Sequence, residues 1–537
     1  MTLLSDATAS LFSTLTKELA ERSAAGTPEG AAALNPELAH GAWGLAIWAL
    51  IIGYALLVGI LSLYGMHRGL LVATCVKERK KLKAVEHTVE LSEDELPIVT
   101  LQLPLFNEAT VAQTLIEVCG KLDYPREKLE IQVLDDSTDE TQAIARLAVE
   151  RAAATGVDIK YIHRADRTGY KAGALAAGLK VSRGELVAIF DADFTPQPGF
   201  LRSVVGHFRD PKVGCVQARW GHTNREHSML TRVQALMLDG HHMVENRARW
   251  ATDHFFNFSG TGGMWRVKAI EEAGGWAHDT LTEDLDLSYR AQMKGWKFLY
   301  RADVVTPSEL PEELSAFRAQ QHRWAKGTVQ SARKMLKTIW SSDLRMSQKI
   351  EATYHLTPHM TSPLLVTLTV LLLPILAILP GSDTRTMFLV DVPLCLSTSG
   401  SLAAFYMHAE AAQGRSAWLG LKRLPFLMAL GTGMAPWVSR AVFEGMRSMA
   451  GEFVRTPKKG NEQGRYRARI NLPWAEMILA LVSACSTIAA IENGHWFAGP
   501  FAAMFTFGYA WVATLLVGEE LERRRAARRS LVPNAMA

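Results

Sequence analysis

Residues 41–66, 352–382, 477–491 and 496–517 carry no Asp, Glu, Lys or Arg. A helix of about 20 such residues crosses the hydrocarbon core of a bilayer. In lipid, only a helix or a closed barrel satisfies its own backbone polar groups. A long mixed-charge block, roughly residues 77–349, lies between these stretches. The pattern therefore predicts a soluble α/β unit inserted among membrane-spanning helices. Whole-chain averages hide this segregation, since hydrophobic residues make up 48% of the chain and its mean hydropathy is +0.04.

The flanks orient the expected spans. His67, Arg68, Lys77, Arg79, Lys80, Lys81 and Lys83 follow the first span at 41–66, so the positive-inside rule puts the mixed block (77–340, with an interfacial connection at 341–350) in the cytoplasm. The polar tail 1–40, with Leu3, Leu4, Leu11, Leu15 and Leu19 on one face, would then lie outside. It lacks a basic segment leading directly into an apolar core, so it is not read as a cleaved signal peptide. Spans two and three are expected within 352–407. Pro363, Pro374, Pro393 and Asp391 are unusual in lipid and suggest that these spans line something. The apolar segment 415–450 is interrupted by Gly431, Gly433 and Pro436 and carries Arg440 and Glu444. It is expected to be a helix lying at the interface, followed by a basic segment at 451–470. Spans four and five at 473–517 and a basic tail at 518–537 complete a count of five.

Net charge is only +4 over 537 residues, and no Lys/Arg-rich aromatic groove is visible, so a nucleic-acid partner is not expected. The five cysteines (75, 119, 215, 395, 485) contain no CxxC pair and imply neither a zinc site nor a disulfide frame.

Inside the mixed block the pattern alternates. Strands are predicted at 98–104, 129–134, 159–163 and 186–190, and helices at 110–119, 141–153 and 172–180. This βαβα order predicts a doubly wound, mostly parallel sheet that binds ligands at its carboxyl strand ends. Two of those ends carry paired acids. Leu186 to Phe190 runs into Asp191-Ala192-Asp193, a place for a hard cation such as Mg²⁺ or Mn²⁺, although a helix N-cap would also explain it. The strand at 129–134 runs into Asp135 and Asp136, which suit ribose or base donors; an Asx-turn with Ser137 and Thr138 is the plainer account of one of them. Residues 255–266 are glycine-rich around Gly260 and Thr261, where backbone can approach a substrate closely or simply turn. Thr282 looks like an N-cap, with Glu283 and Asp284 in the first helical turn. The segment 317–327 is amphipathic, with Trp324 at a position suited to a headgroup layer.

Asp136, Asp191-Ala192-Asp193, Thr282-Glu283-Asp284 and Gln320-Gln321-His322-Arg323-Trp324 stand in one order along the chain. Together they resemble the D, DxD, TED, QxxRW signature of processive family 2 glycosyltransferases of the cellulose synthase superfamily. The likeness is strongest to cellulose synthase-like mannan and glucomannan synthases. Gly169-Tyr170-Lys171-Ala172-Gly173 looks much like the corresponding stretch in that group.

The resemblance implies a cytoplasmic GT-A type domain in an integral membrane protein of the plasma (inner) membrane. It implies an inverting polymerase of a β-linked mannan, glucomannan or glucan that also exports its product. Asp284 would be the general base and Asp193 the metal ligand. Asp135, Asp136, Lys171, Asp191 and Arg323 would contact the nucleotide sugar, either GDP-mannose or UDP-glucose. Glu283, Gln320, Trp324, Gly260 and Thr261 would hold the growing polysaccharide. Phe453, Thr456 and Lys458 resemble part of a gating loop. Tyr354, His355, Asp391, Tyr406 and Trp474 are candidates to line an export path. A non-processive transferase acting on a lipid, and a non-catalytic translocator or scaffold, are the competing expectations.

Overall fold

A computed structural model describes residues 42–379, 392–449 and 472–530. The tail 1–40, Asp391, the start of the third expected span and the gating-loop residues Phe453, Thr456 and Lys458 lie outside the described residues.

Seven strands form one sheet: β1 (Val99–Leu105), β2 (Leu129–Asp135), β3 (Asp158–His163), β4 (Leu186–Ile189), β5 (Val213–His222), β6 (Gly263–Arg266) and β7 (Lys297–Ser308). Their order is β3-β2-β1-β4-β6-β5-β7. The first four are mutually parallel, β6 runs antiparallel to β4 and β5, and β7 is parallel to β5. The sheet is therefore mixed and mostly parallel. β2 and β4 are buried along their whole length and β1 nearly so, as expected of parallel strands covered on both faces. The chain leaves β1 for β2 and β3, then returns to the other side of β1 at β4. That reversal opens a crevice at the carboxyl ends of β1 and β4.

Helices cover both faces. α1 (Ala42–Lys77) precedes the sheet; α2 (Ala112–Cys119), α3 (Thr141–Ala154), α4 (Tyr170–Leu179), α5 (Met229–Gly240), α6 (Glu283–Met293) and α7 (Leu314–Trp340) follow in chain order. Leu101, Leu103, Ile131, Val133 and Ala188 pack with α2 and α3 on one face. Val187 and Ile189 point the other way, toward Leu175 of α4. This second core continues without a break into Phe405, Tyr406, Leu424, Leu430, Met434, Val512 and Leu516.

Those residues belong to the helical part: α8 (Thr361–Ile378), α9 (Ser401–Ala411), α10 (Ala417–Arg447), α11 (Trp474–Glu492) and α12 (Gly499–Ser530). Among the described residues, four helices are long and apolar enough to cross a membrane: Gly44–Lys77, Pro358–Ile378, Trp474–Glu492 and Gly499–Arg525. The described part of the third expected span is helical from Val392 to Ala411, through a π-turn at Leu396–Gly400. On α1, Leu45, Trp48, Ile52, Leu56, Ile60 and Leu63 are exposed at spacings of three or four, an apolar stripe for lipid to cover.

Gly431, Gly433 and Pro436 do not interrupt α10, which is continuous over 31 residues. A Cβ on Gly433 would lie 2.4 Å from the Gly508 carbonyl oxygen, and one on Gly508 2.6 Å from that of Ala429. These small residues form the seam along which α10 and α12 touch, the usual reason for glycine between membrane helices.

Candidate active site

The site is assembled from the strand ends outward. After β1, Phe106, Asn107 and Glu108 turn away from the sheet. The Asn107 backbone N–H donates to Ser137 Oγ at 2.8 Å, and its side-chain oxygen accepts from the Thr138 N–H at 2.8 Å, joining the loops after β1 and β2. Asp136 faces the crevice and is gripped by the Arg164 guanidinium, Nε to Oδ1 at 2.8 Å. Asp135 does not face it. Its carboxylate is fully buried and accepts from the Ser137 N–H at 2.9 Å and the Tyr161 hydroxyl at 2.6 Å. Side chains alternate across a strand, so only one of two consecutive acids can reach the ligand side. Asp135 instead braces the strand-end loop, which corrects its expected contact with the nucleotide sugar.

Asp191 and Asp193 stand at the end of β4. The Asp191 N–H donates to Thr261 Oγ1 at 2.9 Å. Thr261 is wholly buried, so it supports the turn from behind rather than touching an acceptor. The Asp191 carboxylate pairs with Lys171 Nζ at 2.5 Å, and the same ammonium donates to the Gly260 carbonyl at 2.9 Å. Gly260 has φ +80°, and a Cβ there would meet Asp284 Oδ2 at 2.9 Å. Only glycine lets the loop pass this close to the acid.

Glu283 and Asp284 occupy the first turn of α6. Thr282 stands at the N-cap position, as expected, but its hydroxyl bonds Ser331 Oγ at 3.1 Å and makes no capping hydrogen bond. The helix start is pinned from α7, where Gln330 Oε1 accepts the Leu281 N–H at 2.9 Å. A helix N-terminus favours the ionised acid. Burial outweighs it: desolvation, reinforced by Glu283, pushes the Asp284 carboxyl up to about 7 against the pull of Lys171. Glu283 is raised for the same first reason. Burial alone would lower the Lys171 ammonium, but Asp191, Glu283 and Asp284 outweigh it and the group is raised. Burial lowers the Arg323 guanidinium despite the same acids.

Gln320, Arg323 and Trp324 lie at i, i+3 and i+4 on α7 and share its cleft-facing side. The start of this helix is held from the membrane part. Glu519 of α12 accepts the Leu314 and Ser315 N–H groups at 2.5 and 3.1 Å, and Arg318 pairs with Glu476 of α11 at 3.2 Å.

One cleft of about 1310 Å³, open solvent included, is lined by Asp136, Lys171, Asp191, Asp193, Gly260, Glu283, Asp284, Gln320, Arg323 and Trp324. The sequence analysis did not single out Phe106, Glu108, Arg167, Trp220 or Glu309, which also line it. Arg167 sits 3.3 Å from the centre of the Phe106 ring. A P-x-F-N-E run at a strand end was the available signal for Phe106 and Glu108. Trp220 lies on β5, which alternation did not reveal.

Among the described residues no three His, Cys, Asp or Glu side chains gather into a cation cage. A hard divalent ion shared with substrate phosphates needs only one or two carboxylates. Asp191 and Asp193, oxygen donors in the cleft wall, fit that requirement.

Residues 97–327 match the family described as "Glycosyltransferase like family 2". Over 283 residues the chain is 44% identical to glucomannan 4-beta-mannosyltransferase 2 of Arabidopsis thaliana, covering 52% of this chain and 53% of that one. Over 256 residues it is 48% identical to glucomannan 4-beta-mannosyltransferase 1 of Oryza sativa subsp. japonica, covering 47% and 49%. The matched region thus spans about half the length of these relatives. Among solved structures, the mannosyltransferase PcManGT from Pyrobaculum calidifontis, in complex with GDP-Man and Mn²⁺, is similar with a TM-score of 0.45 at 22% identity, covering 67% of this chain and 99% of that one.

Proposed function

We propose, from the match of residues 97–327 to glycosyltransferase-like family 2 and their similarity to glucomannan 4-beta-mannosyltransferases, that the chain is an inverting, membrane-embedded hexosyltransferase of the cellulose synthase-like group. It builds a β-1,4-linked mannan, glucomannan or glucan from GDP-mannose or UDP-glucose and passes the product across the bilayer. The observation that carries this is convergence: Asp136, Asp191, Asp193, Asp284 and Trp324, from four separate stretches of chain, share one cleft beside the membrane helices.

Each residue then has a task. The end of the cleft at Asp136, Phe106 and Arg167 takes the nucleoside, a carboxylate for its donors and a stacked cation and ring for its flat face. Lys171 and Arg323 place two cations where the diphosphate leaves. Asp191 and Asp193 would hold Mg²⁺ or Mn²⁺, which when bound supplies Lewis-acid neutralisation of the leaving group. Asp284 accepts the proton of the attacking acceptor hydroxyl, and a pKa near 7 suits a base working at neutral pH. Trp324 offers a flat apolar face to the acceptor ring. One base without a covalent nucleophile means direct displacement, so an α-linked donor yields a β-linked product.

The basic flank after the first span supports a cytoplasmic cleft, in this reading at the plasma (inner) membrane. A sugar polymer is too polar to cross lipid unaided, which gives the attached helices their purpose. Incubating the purified protein in lipid nanodiscs with GDP-mannose, UDP-glucose or both, with Mg²⁺ or Mn²⁺, and sizing the product tests this reading. A long β-linked polymer supports it. A glycolipid would point to the non-processive alternative, and no transfer from any nucleotide sugar would sink it.

A further inference from the structure

The cleft changes character along its length. One end holds Asp136, Arg167, Lys171 and Asp191; the other is walled by Trp220, Leu238, Leu310 and Trp324. Trp220 stands on β5 and is half-buried. Its ring centre is 6.4 Å from that of Trp324, with the planes 49° apart. On its other side it meets Phe194, the residue after Asp193, edge-on at 5.3 Å. Its Nε1–H donates to the Thr261 carbonyl at 3.4 Å, and the Thr261 hydroxyl in turn accepts the Asp191 N–H. The indole is therefore fixed relative to the acids that receive the donor.

We propose that Trp220 is a second acceptor platform, stacking on the sugar next to the one carried by Trp324. The proposal rests on the transferase reading above. A pyranose ring presents a face of C–H groups and a rim of hydroxyls, and a flat indole complements that face without needing a particular hydroxyl. One platform fixes one sugar. Two adjacent indoles, tilted against each other, fix two successive sugars and so set the direction of the chain as well as its end. That direction is toward the membrane part, because α5 and α7, which wall this end of the cleft, pack on α9 and α10. A polymerase needs such a hold, since the elongated product must stay seated while a new donor binds.

The test uses the full chain in nanodiscs, its accepted donor, and β-linked oligosaccharides of increasing length as acceptors. Trp220→Ala is expected to raise the acceptor KM about two- to tenfold, the range for loss of an aromatic stack. It should also shorten the polymer, with acceptor KM rising by a clearly larger factor than donor KM. Trp220→Phe keeps a flat ring and should recover most of the affinity. Trp220→Leu keeps apolar bulk without a ring face and should not. Parent-like acceptor KM and product length in both Ala and Leu variants overturn the proposal. So does a rise in donor KM matching that in acceptor KM, which would make Trp220 a packing residue of the acid turn. A parent protein that transfers from no nucleotide sugar overturns the transferase reading itself, a different failure.

Discussion

As the proposed base, Asp284 would have to be ionised to act, yet its surroundings resist ionisation. Burial and the neighbouring Glu283 raise it to about 7. A base with that pKa gains activity as pH rises, so transfer should climb through a limb near pH 7 and level off above it. Asp284→Asn should keep nucleotide affinity and lose transfer by about 10²- to 10⁴-fold, read as nucleotide displacement against polymer yield. The same residue has a stability signature. Between the unfolded carboxyl pKa, about 3.9, and the raised folded value, the folded protein holds more protons, so stability falls as pH rises. Asp284→Asn should therefore melt higher than the parent at pH 8, and the gain should vanish near pH 4. Gly260→Ala belongs to the same scale. It strains a backbone at φ +80° and drives a methyl to 2.9 Å from Asp284 Oδ2, so it should abolish most transfer while leaving the fold intact by circular dichroism. The contrast between Asp135 and Asp136 shows where legibility stops at this scale. The sequence marks the pair as chemical, but the direction of each side chain depends on where β2 ends.

α7 is the element on which the acceptor side depends. Its own sequence supplies no side-chain cap at Glu313, and the cap arrives from Glu519, 205 residues from Leu314. Glu519→Ala should lower stability by about 1–2 kcal/mol, as the loss of a carboxylate cap does. The neighbouring Glu520→Ala, which breaks only a surface i,i+4 pair with Arg524, should leave the melting midpoint unchanged. Thermal unfolding of both variants in the same lipid checks this. β1, β2 and β4 were legible because parallel strands buried on both faces read as apolar runs. β5, β6 and β7 were not. β6 is only four residues long, and buried Gln217, Arg301 and Thr306 interrupt the apolar pattern of the other two. Their polar groups are satisfied by partners distant in sequence, such as Gln217 with the Thr261 carbonyl and Arg301 with the Ser203 carbonyl.

The sheet and the helical part form one body, joined by a shared core and by a buried ionic cluster. Arg225 bonds Asp239 and, at 2.6 Å, Glu410; Arg415 bonds Glu410 and, at 2.6 Å, Asp239. Glu410 is fully buried. Glu410→Ala removes one of the two buried carboxylates that these guanidiniums share and should cost roughly 3–5 kcal/mol. Loss of monodisperse protein in lipid, with partial rescue by Glu410→Asp, is the expected result.

The sequence alone determined the segregation into charge-free helices and an α/β unit, the acids at two strand ends, and the helical spacing of Gln320, Arg323 and Trp324. Each of these is local, carried by hydropathy, by strand period or by neighbours within one turn. The tertiary structure alone decided that Asp135 and Thr261 stand behind the wall, that Trp220 joins the cleft, that Glu519 caps α7 and that Asp284 is held near 7. Those outcomes depend on which distant groups share a desolvated volume, and burial of that kind arises only once the chain has closed on itself.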